Sequence, residues 1–128
     1  MTTWNLTRTK SHVLICNGSS CMRKGGEEVT EAIRDEISRL DLDAEVHTTR
    51  TRCNGRCKDA CVVVVYPEGT WYKAATEEIG RKIIRNEQAP VYELRESILY
   101  EYEESTFVKV SEDSIKGIEK PAKELKEV

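Results

Sequence analysis

The chain has 128 residues, of which 38% are hydrophobic and 34% are charged, and its formal net charge is −3 at pH 7. This length fits one domain, and the acidic balance argues against a general nucleic-acid partner, which would usually bind a basic protein. No stretch approaches the ~20 apolar residues of a membrane span, and the N-terminus has no long apolar region typical of a secretory signal. We therefore expect a cytoplasmic protein without a membrane partner.

The first third of the chain predicts a strand, a loop, a helix and a second strand. The apolar run at residues 12–15 indicates a buried strand that ends at Cys16, and residues 17–20 form a polar loop. The next apolar residues recur every three to four positions, as on one face of an amphipathic helix; they are Val29, Ile33, Ile37 and Leu40. Residues 44–49 predict the second strand.

The middle of the chain predicts a loop, a hairpin and a second helix. Residues 50–61 are too polar for a core element, whereas the β-branched run at 62–66 is typical of a central strand buried on both faces. A Pro/Gly turn leads to Trp71 and Tyr72 as the hairpin partner. Thr76 is the predicted N-cap of the following helix.

These elements predict an α/β fold with a small mixed sheet covered by helices, in the order β-α-β-β-β-α, followed by a C-terminal extension. We divide the chain into a leader (1–10), a core domain (11–87) and an acidic extension (88–128). In the extension, residues 94, 98 and 102 have helical spacing, residues 107–110 resemble a strand, and the charged stretch after Pro121 suggests a frayed helix. The extension could cover an edge strand, build a dimer contact or dock a partner.

The cysteines carry the clearest functional signal. Cys16 and Cys21 form a C-x4-C pair between a strand and a helix, and Cys53 and Cys57 form a C-x3-C pair before the valine-rich strand. In a reducing compartment, clustered cysteines more often bind metal or do redox chemistry than form structural disulfides. Four sulfurs from two neighbouring loops suit an iron–sulfur site. Structural zinc and thiol–disulfide chemistry remain open on spacing alone.

Positive charge surrounds the second cysteine pair, on Arg50, Arg52, Arg56 and Lys58. These cations, with the backbone N–H groups near Asn17-Gly18 and Asn54-Gly55, would compensate an anionic centre. We expect the same basic residues to form the docking surface for an acidic patch on a redox partner protein, a reductase or an acceptor.

The cysteine spacing, followed by the run VVVVYPEGTWY, resembles the thioredoxin-like 2Fe–2S ferredoxins, whose fold is shared with the small iron–sulfur subunit of NADH dehydrogenases. The resemblance covers about residues 11–87. It implies a thioredoxin-like fold, a 2Fe–2S cluster, one-electron transfer and often a homodimer. The cluster-binding and metal ligands that it implies are Cys16, Cys21, Cys53 and Cys57.

Two departures from the family accompany this interpretation, one at Ala60-Cys61 and the other in an acidic extension after residue 88 that is longer than the ferredoxin unit requires, and two other hypotheses stand beside it. Ala60-Cys61 stands where the family usually has a Gly-Pro or similar pair, so Cys61 is an additional cysteine, which we interpret as a small buried hydrophobe rather than a substitute ligand. His12 and His47 are interpreted as ordinary strand residues. We predict no catalytic residues. The chain could instead be a non-redox binding module with structural zinc or free thiols, or a cluster-bearing subunit of a larger oxidoreductase.

Overall fold

The backbone of this computed structural model, described for residues 2–111 and 114–120, forms a six-stranded mixed sheet with three α-helices and two short 3-10 helices. The strands are β1 (Ser11–Cys16), β2 (Val46–Thr51), β3 (Val63–Tyr66), β4 (Thr70–Tyr72), β5 (Ile98–Glu103) and β6 (Thr106–Lys109). The α-helices are α1 (Ser19–Arg23), α2 (Gly26–Arg39) and α3 (Glu77–Arg85), and the 3-10 helices are Cys57–Asp59 and Tyr92–Ser97. The helix expected after Pro121 lies outside the described residues.

The sheet has the strand order β2-β1-β3-β4-β5-β6. The β1–β2 pair is parallel, with Cys16 opposite Thr51, and the other neighbours are antiparallel. The predicted order of elements up to residue 87 is therefore confirmed, with β2 two residues later than expected and with α1 in part of the predicted loop at 17–20.

The core lies between one face of the sheet and helices α2 and α3. On β1, Val13 and Ile15 are fully buried and pair with Val65 and Val63 of β3, while the alternating residues of β1 are half-buried on the opposite face. The central position predicted for the valine-rich strand is confirmed, since residues 62–65 are all buried. The burial of this strand on both faces explains why its sequence is continuously apolar.

Helices α2 and α3 approach each other closely at Gly80. A Cβ atom at Gly80 would lie 2.9 Å from Cγ1 of the buried Ile33. The predicted cap is also confirmed, since the Thr76 side chain accepts a hydrogen bond from the Ile79 N–H at 3.2 Å. None of the helices in the described ranges is long and apolar enough to cross a membrane.

The extension adds two strands to the sheet. The prediction of a helix through residues 94, 98 and 102 is wrong, because Ile98–Glu103 forms β5, which pairs with β4. A spacing of four residues also satisfies the two-residue period of a strand, and Leu99 is fully buried in this strand. The predicted strand near 107–110 is confirmed as β6, so the extension covers what would otherwise be the exposed edge of β4.

Glu36 of α2 links the two long helices through an ionic cluster. Its side chain is fully buried and accepts hydrogen bonds from Arg39, from Arg85 Nε at 2.9 Å and from Arg81 Nη1 at 3.2 Å. Arg81 and Arg85 belong to α3. The hydrogen bonds from Arg39, assisted by those from Arg85 and Arg81, lower the pKa of Glu36 to about 2 against the opposing effect of burial.

We expect Glu36→Gln to lower the free energy of unfolding at pH 7 by about 2–3 kcal/mol, since one pKa unit corresponds to about 1.4 kcal/mol. A carboxylate whose pKa is depressed in the folded state stabilises the protein above its unfolded pKa, and this stabilisation is lost as the pH falls towards about 2. Urea unfolding at pH 7 and at successively lower pH should therefore show the difference between wild type and variant shrinking below about pH 4.5.

The matched control is Glu31→Gln, an exposed glutamate on the same helix, which should change stability by less than about 0.5 kcal/mol. Each comparison uses the same buffer and metal content. A difference between wild type and Glu36→Gln that stays constant with pH would contradict the assignment.

Candidate metal centre

The two cysteine-bearing loops leave the sheet at the same edge. Because β1 and β2 are parallel neighbours, their carboxyl ends lie side by side. Cys16 is the last residue of β1 and lies opposite Thr51, two residues before Cys53. The short helix α1 then carries Cys21, and the 3-10 helix after the second loop begins at Cys57. The register of one strand pair thus brings both loops together.

The four predicted cysteines line one cavity, whereas Cys61 does not. The residues around this cavity are Cys16, Gly18, Ser20, Cys21, Cys53, Asn54, Arg56, Cys57 and Val62. His12 and His47 are also outside it; their rings lie 5.0 Å apart, in adjacent strands. The structure therefore brings together the four cysteines that the sequence singled out.

The sulfurs form two pairs with different exposure. Cys53 Sγ and Cys57 Sγ are 3.3 Å apart on exposed residues. Cys16 and Cys21 are buried, and the Cys16 thiol donates to the Arg52 carbonyl at 3.5 Å. Among residues 2–111 and 114–120, no group of three or more His, Cys, Asp or Glu side chains is placed to hold a single metal ion. The site thus consists of a buried inner pair of thiols, Cys16 and Cys21, and an exposed outer pair, Cys53 and Cys57.

The surroundings give the thiols different acidities. Burial raises the pKa of Cys21 to about 12, and the nearby Cys16 and Cys61 add to the increase. The pKa of Cys53 is lowered, first by the Gly55 N–H, which donates to its sulfur at 3.3 Å, and then by Cys57. The adjacent Cys53 raises the pKa of Cys57. Since a thiol binds a metal as the thiolate, binding at Cys21 must drive the loss of its proton.

Two glycines, Gly18 and Gly55, shape the site. Gly55 has φ +83°, a conformation that favours glycine, and directs its N–H to the Cys53 sulfur. Gly18 has an ordinary φ of −66°, but a Cβ there would lie 2.9 Å from the Cα, Cβ and N of Cys53. The N–H of Asn17, also expected near the centre, donates instead to the Thr51 carbonyl at 2.8 Å.

Cys61 is buried next to the site and is oriented away from the cavity by hydrogen bonds. Its thiol donates to the carbonyls of Cys21 at 3.3 Å and Lys24 at 3.4 Å. Burial raises the pKa of the Cys61 thiol. These contacts agree with its interpretation as a small buried residue that packs α1 against β3.

The basic residues around the outer pair differ in their environments. Arg52 and Lys58 are exposed, and Arg50 is an exposed residue that pairs with Glu27 at 3.3 Å. Arg56 is different: its side chain is 11% exposed and its Nε lies 2.8 Å from Asp59 Oδ2. Asp59 was not among the predicted site residues, although its spacing of three residues from Arg56 can indicate an ion pair. Ser20, which lines the cavity and lowers the pKa of Cys57, was not predicted either, and nothing in the sequence indicates it.

Comparison with known proteins identifies a consistent set of relatives. A family model described as thioredoxin-like [2Fe-2S] ferredoxin matches residues 3–88. A protein of Priestia megaterium, provisionally named a 2Fe-2S ferredoxin, is 59% identical over 94% of this chain and 94% of its own length. A 2Fe-2S ferredoxin of Clostridium pasteurianum is 33% identical over 63% of this chain and 87% of its own length.

A solved structure confirms the predicted fold. The thioredoxin-like [2Fe-2S] ferredoxin from Aquifex aeolicus superimposes with a TM-score of 0.64, over 74% of this chain and 94% of the other, at 24% identity. The mixed sheet with its helices is therefore a thioredoxin-like α/β fold.

We expect Gly18→Ala to lower the iron bound per chain and to reduce stability by about 1–3 kcal/mol, the usual cost of forcing extra atoms into a packed site. The backbone conformation at Gly18 accepts alanine, so the effect would come from the contact with Cys53. Iron analysis of anaerobically purified protein and thermal unfolding measure the two effects. The control is Ser19→Ala at the adjacent exposed residue, and equal iron content in both variants would contradict the prediction.

Proposed function

Because the chain belongs to the thioredoxin-like [2Fe-2S] ferredoxin family and is therefore a one-electron carrier with a 2Fe–2S cluster, we propose that the four cysteines around the cavity hold this cluster. These ligands are Cys16, Cys21, Cys53 and Cys57. The observation that carries the proposal is the convergence of two thiol pairs, from two loops, on one cavity.

The donor set fits the cluster. A 2Fe–2S centre with cysteine ligands takes four thiolates, two on each iron, and this chain offers an inner and an outer pair. When bound, the cluster supplies the exchange of a single electron, while the protein controls its binding, exposure and potential. Family membership decides between the alternatives that spacing left open, and it favours iron–sulfur over zinc and over thiol–disulfide chemistry.

The residues of the chain contribute the polar environment of this centre. The Gly55 N–H donates to Cys53, and such hydrogen bonds to ligand sulfurs stabilise the more negative, reduced state. Arg56 lines the same cavity and adds a positive charge. Burial of Cys16 and Cys21 limits access of water to the inner side of the centre.

We propose that electrons enter and leave on the side of the outer pair, where Cys53 and Cys57 are exposed. An acidic patch on the redox partner would meet the basic residues Arg50, Arg52 and Lys58 there. Arg56 contributes to the local field but is held by its contacts within the molecule.

We also propose that the protein forms a homodimer. The sheet face opposite α2 and α3 carries aromatic side chains, including Trp71 and Tyr100, and at its outer end the exposed Tyr102 and Phe107. Burial of this face in a second copy would remove apolar area from water. Light scattering on the purified protein tests this, and co-purification of other chains would favour the alternative of a subunit in a larger oxidoreductase.

We propose a cytoplasmic location, because five free cysteines suit a reducing compartment. We also propose that residues 11–87 carry the electron-transfer site, between the leader (1–10) and the acidic extension (88–128), whose strands β5 and β6 extend the sheet beside it.

We expect Cys53→Ser and Cys16→Ser each to abolish or shift the visible absorption spectrum, because each removes a ligand sulfur. Cys61→Ser is the matched control: it replaces a buried thiol beside the same cavity by a group that can still donate to the Cys21 carbonyl. Its spectrum and its ~2 irons per chain should match those of the wild type. Bleaching by Cys61→Ser would overturn the ligand assignment.

The basic surface predicts opposite effects on probes of opposite charge. Reversing Arg52 and Lys58 to Glu should slow oxidation of the reduced protein by ferricyanide, by roughly tenfold at low ionic strength, and should speed oxidation by hexaamminecobalt(III). Stopped-flow kinetics measure both rates, and both effects should fade near 1 M salt, where the Debye length is about 3 Å.

The control is Arg8→Glu, an exposed residue that precedes the opposite end of β1. If the double charge reversal changes the oxidation rates with both oxidants in the same direction, the effect is not electrostatic. The proposed docking surface then loses its support.

A further inference from the structure

Arg56 connects the loop that carries Cys53 and Cys57, which we call the cysteine loop, to a distant part of the chain. Besides its ion pair with Asp59, its Nη2 donates to the main-chain carbonyl of Ile115, and its guanidinium lies 5.5 Å from the centre of the Tyr100 ring. Both partners in the ion pair are nearly buried, with side chains 11% and 5% exposed. One side chain between Cys53 and Cys57 thus contacts its own loop and two parts of the extension, which are β5 and the segment at Ile115.

Residues 114–120, which we call the C-terminal strap, lie beside the cysteine loop. A groove of about 630 Å³ is lined on one side by loop residues 54–56, on another by aromatic residues of the sheet and on a third by the strap. At Gly117 a Cβ atom would lie 2.9 Å from Arg56 Nη1. The strap therefore passes so close to the guanidinium that a side chain at this position would displace one of them.

We propose that Arg56 is a positioning residue that ties the C-terminal strap to the cysteine loop, and that this connection holds the loop segment between Cys53 and Cys57 in place. The planar guanidinium suits this role, because its fork of five N–H donors can bond to two partners in fixed directions while its face stacks on an aromatic ring. Lysine offers the same charge without that geometry. The inference rests on the proposed role of Cys53 and Cys57 as ligands.

Two variants disturb this connection without changing net charge. Arg56→Lys keeps the charge but removes the fork, and Gly117→Val leaves Arg56 intact but pushes the strap away from it. The matched controls are Arg95→Lys, at an exposed arginine of the extension outside the strap, and Ile118→Val, at the fully exposed neighbour of Gly117.

Three measurements on the intact, cluster-loaded protein test the proposal. Tryptic cleavage after Lys116 reports whether the strap is held. The rate at which an iron chelator bleaches the anaerobic protein reports how firmly the loop holds the centre, and the midpoint potential reports the polarity around the centre. We expect Arg56→Lys and Gly117→Val to be cleaved faster and to lose the cluster about tenfold faster, the factor that corresponds to about 1.4 kcal/mol. Their potentials should become more positive, because better access of water favours the more highly charged reduced state.

The controls should behave like the wild type in all three measurements. If cleavage is faster while bleaching and potential are unchanged, the strap does not hold the loop in place and the proposal is overturned. Unchanged cleavage in both variants would show that Arg56 does not hold the strap, which also overturns it. Failure of the ligand assignment would appear separately, as bleaching by Cys61→Ser or an intact spectrum in Cys53→Ser.

Discussion

The parallel pairing of β1 with β2 is the constraint on which the candidate site depends. In an antiparallel pair the two loops would leave the sheet at opposite ends. In the parallel register, Cys16 and Thr51 are neighbours, so the chain needs only two more residues to reach Cys53. The absence of a side chain at Gly18 then allows the loops to meet at van der Waals distance. Sheet register and one glycine thus fix the distance between the two thiol pairs.

The site is asymmetric, and this asymmetry matches the work of an electron carrier. The inner pair belongs to the apolar core, and the outer pair lies at the surface among arginines and lysines. The chain as a whole carries a net charge of −3, so the positive charge near Cys53 and Cys57 is a local feature. A centre placed in this way can approach a partner on one side while remaining dry on the other.

Much of the fold could be predicted because its strongest patterns are local. The valine-rich run could only be a buried strand, Thr76 capped its helix as predicted, and the cysteine spacings indicated the loops. The predicted secondary structure was wrong where the periods of a helix and a strand coincide, as at residues 94, 98 and 102, whose spacing fits both elements equally well. The exposure expected for Arg56 was also wrong, because its burial depends on Asp59 and on a strap almost sixty residues away. Such contacts arise only when the chain has folded.

The ionic cluster of Glu36 stabilises the scaffold away from the outer thiol pair. It joins α2 to α3, two helices that carry none of the four cavity cysteines, and the valine and isoleucine core beneath them is complete without any metal ligand from the outer loop. The contacts that hold these helices on the sheet therefore include neither Cys53 nor Cys57, which leaves the outer pair for the site alone.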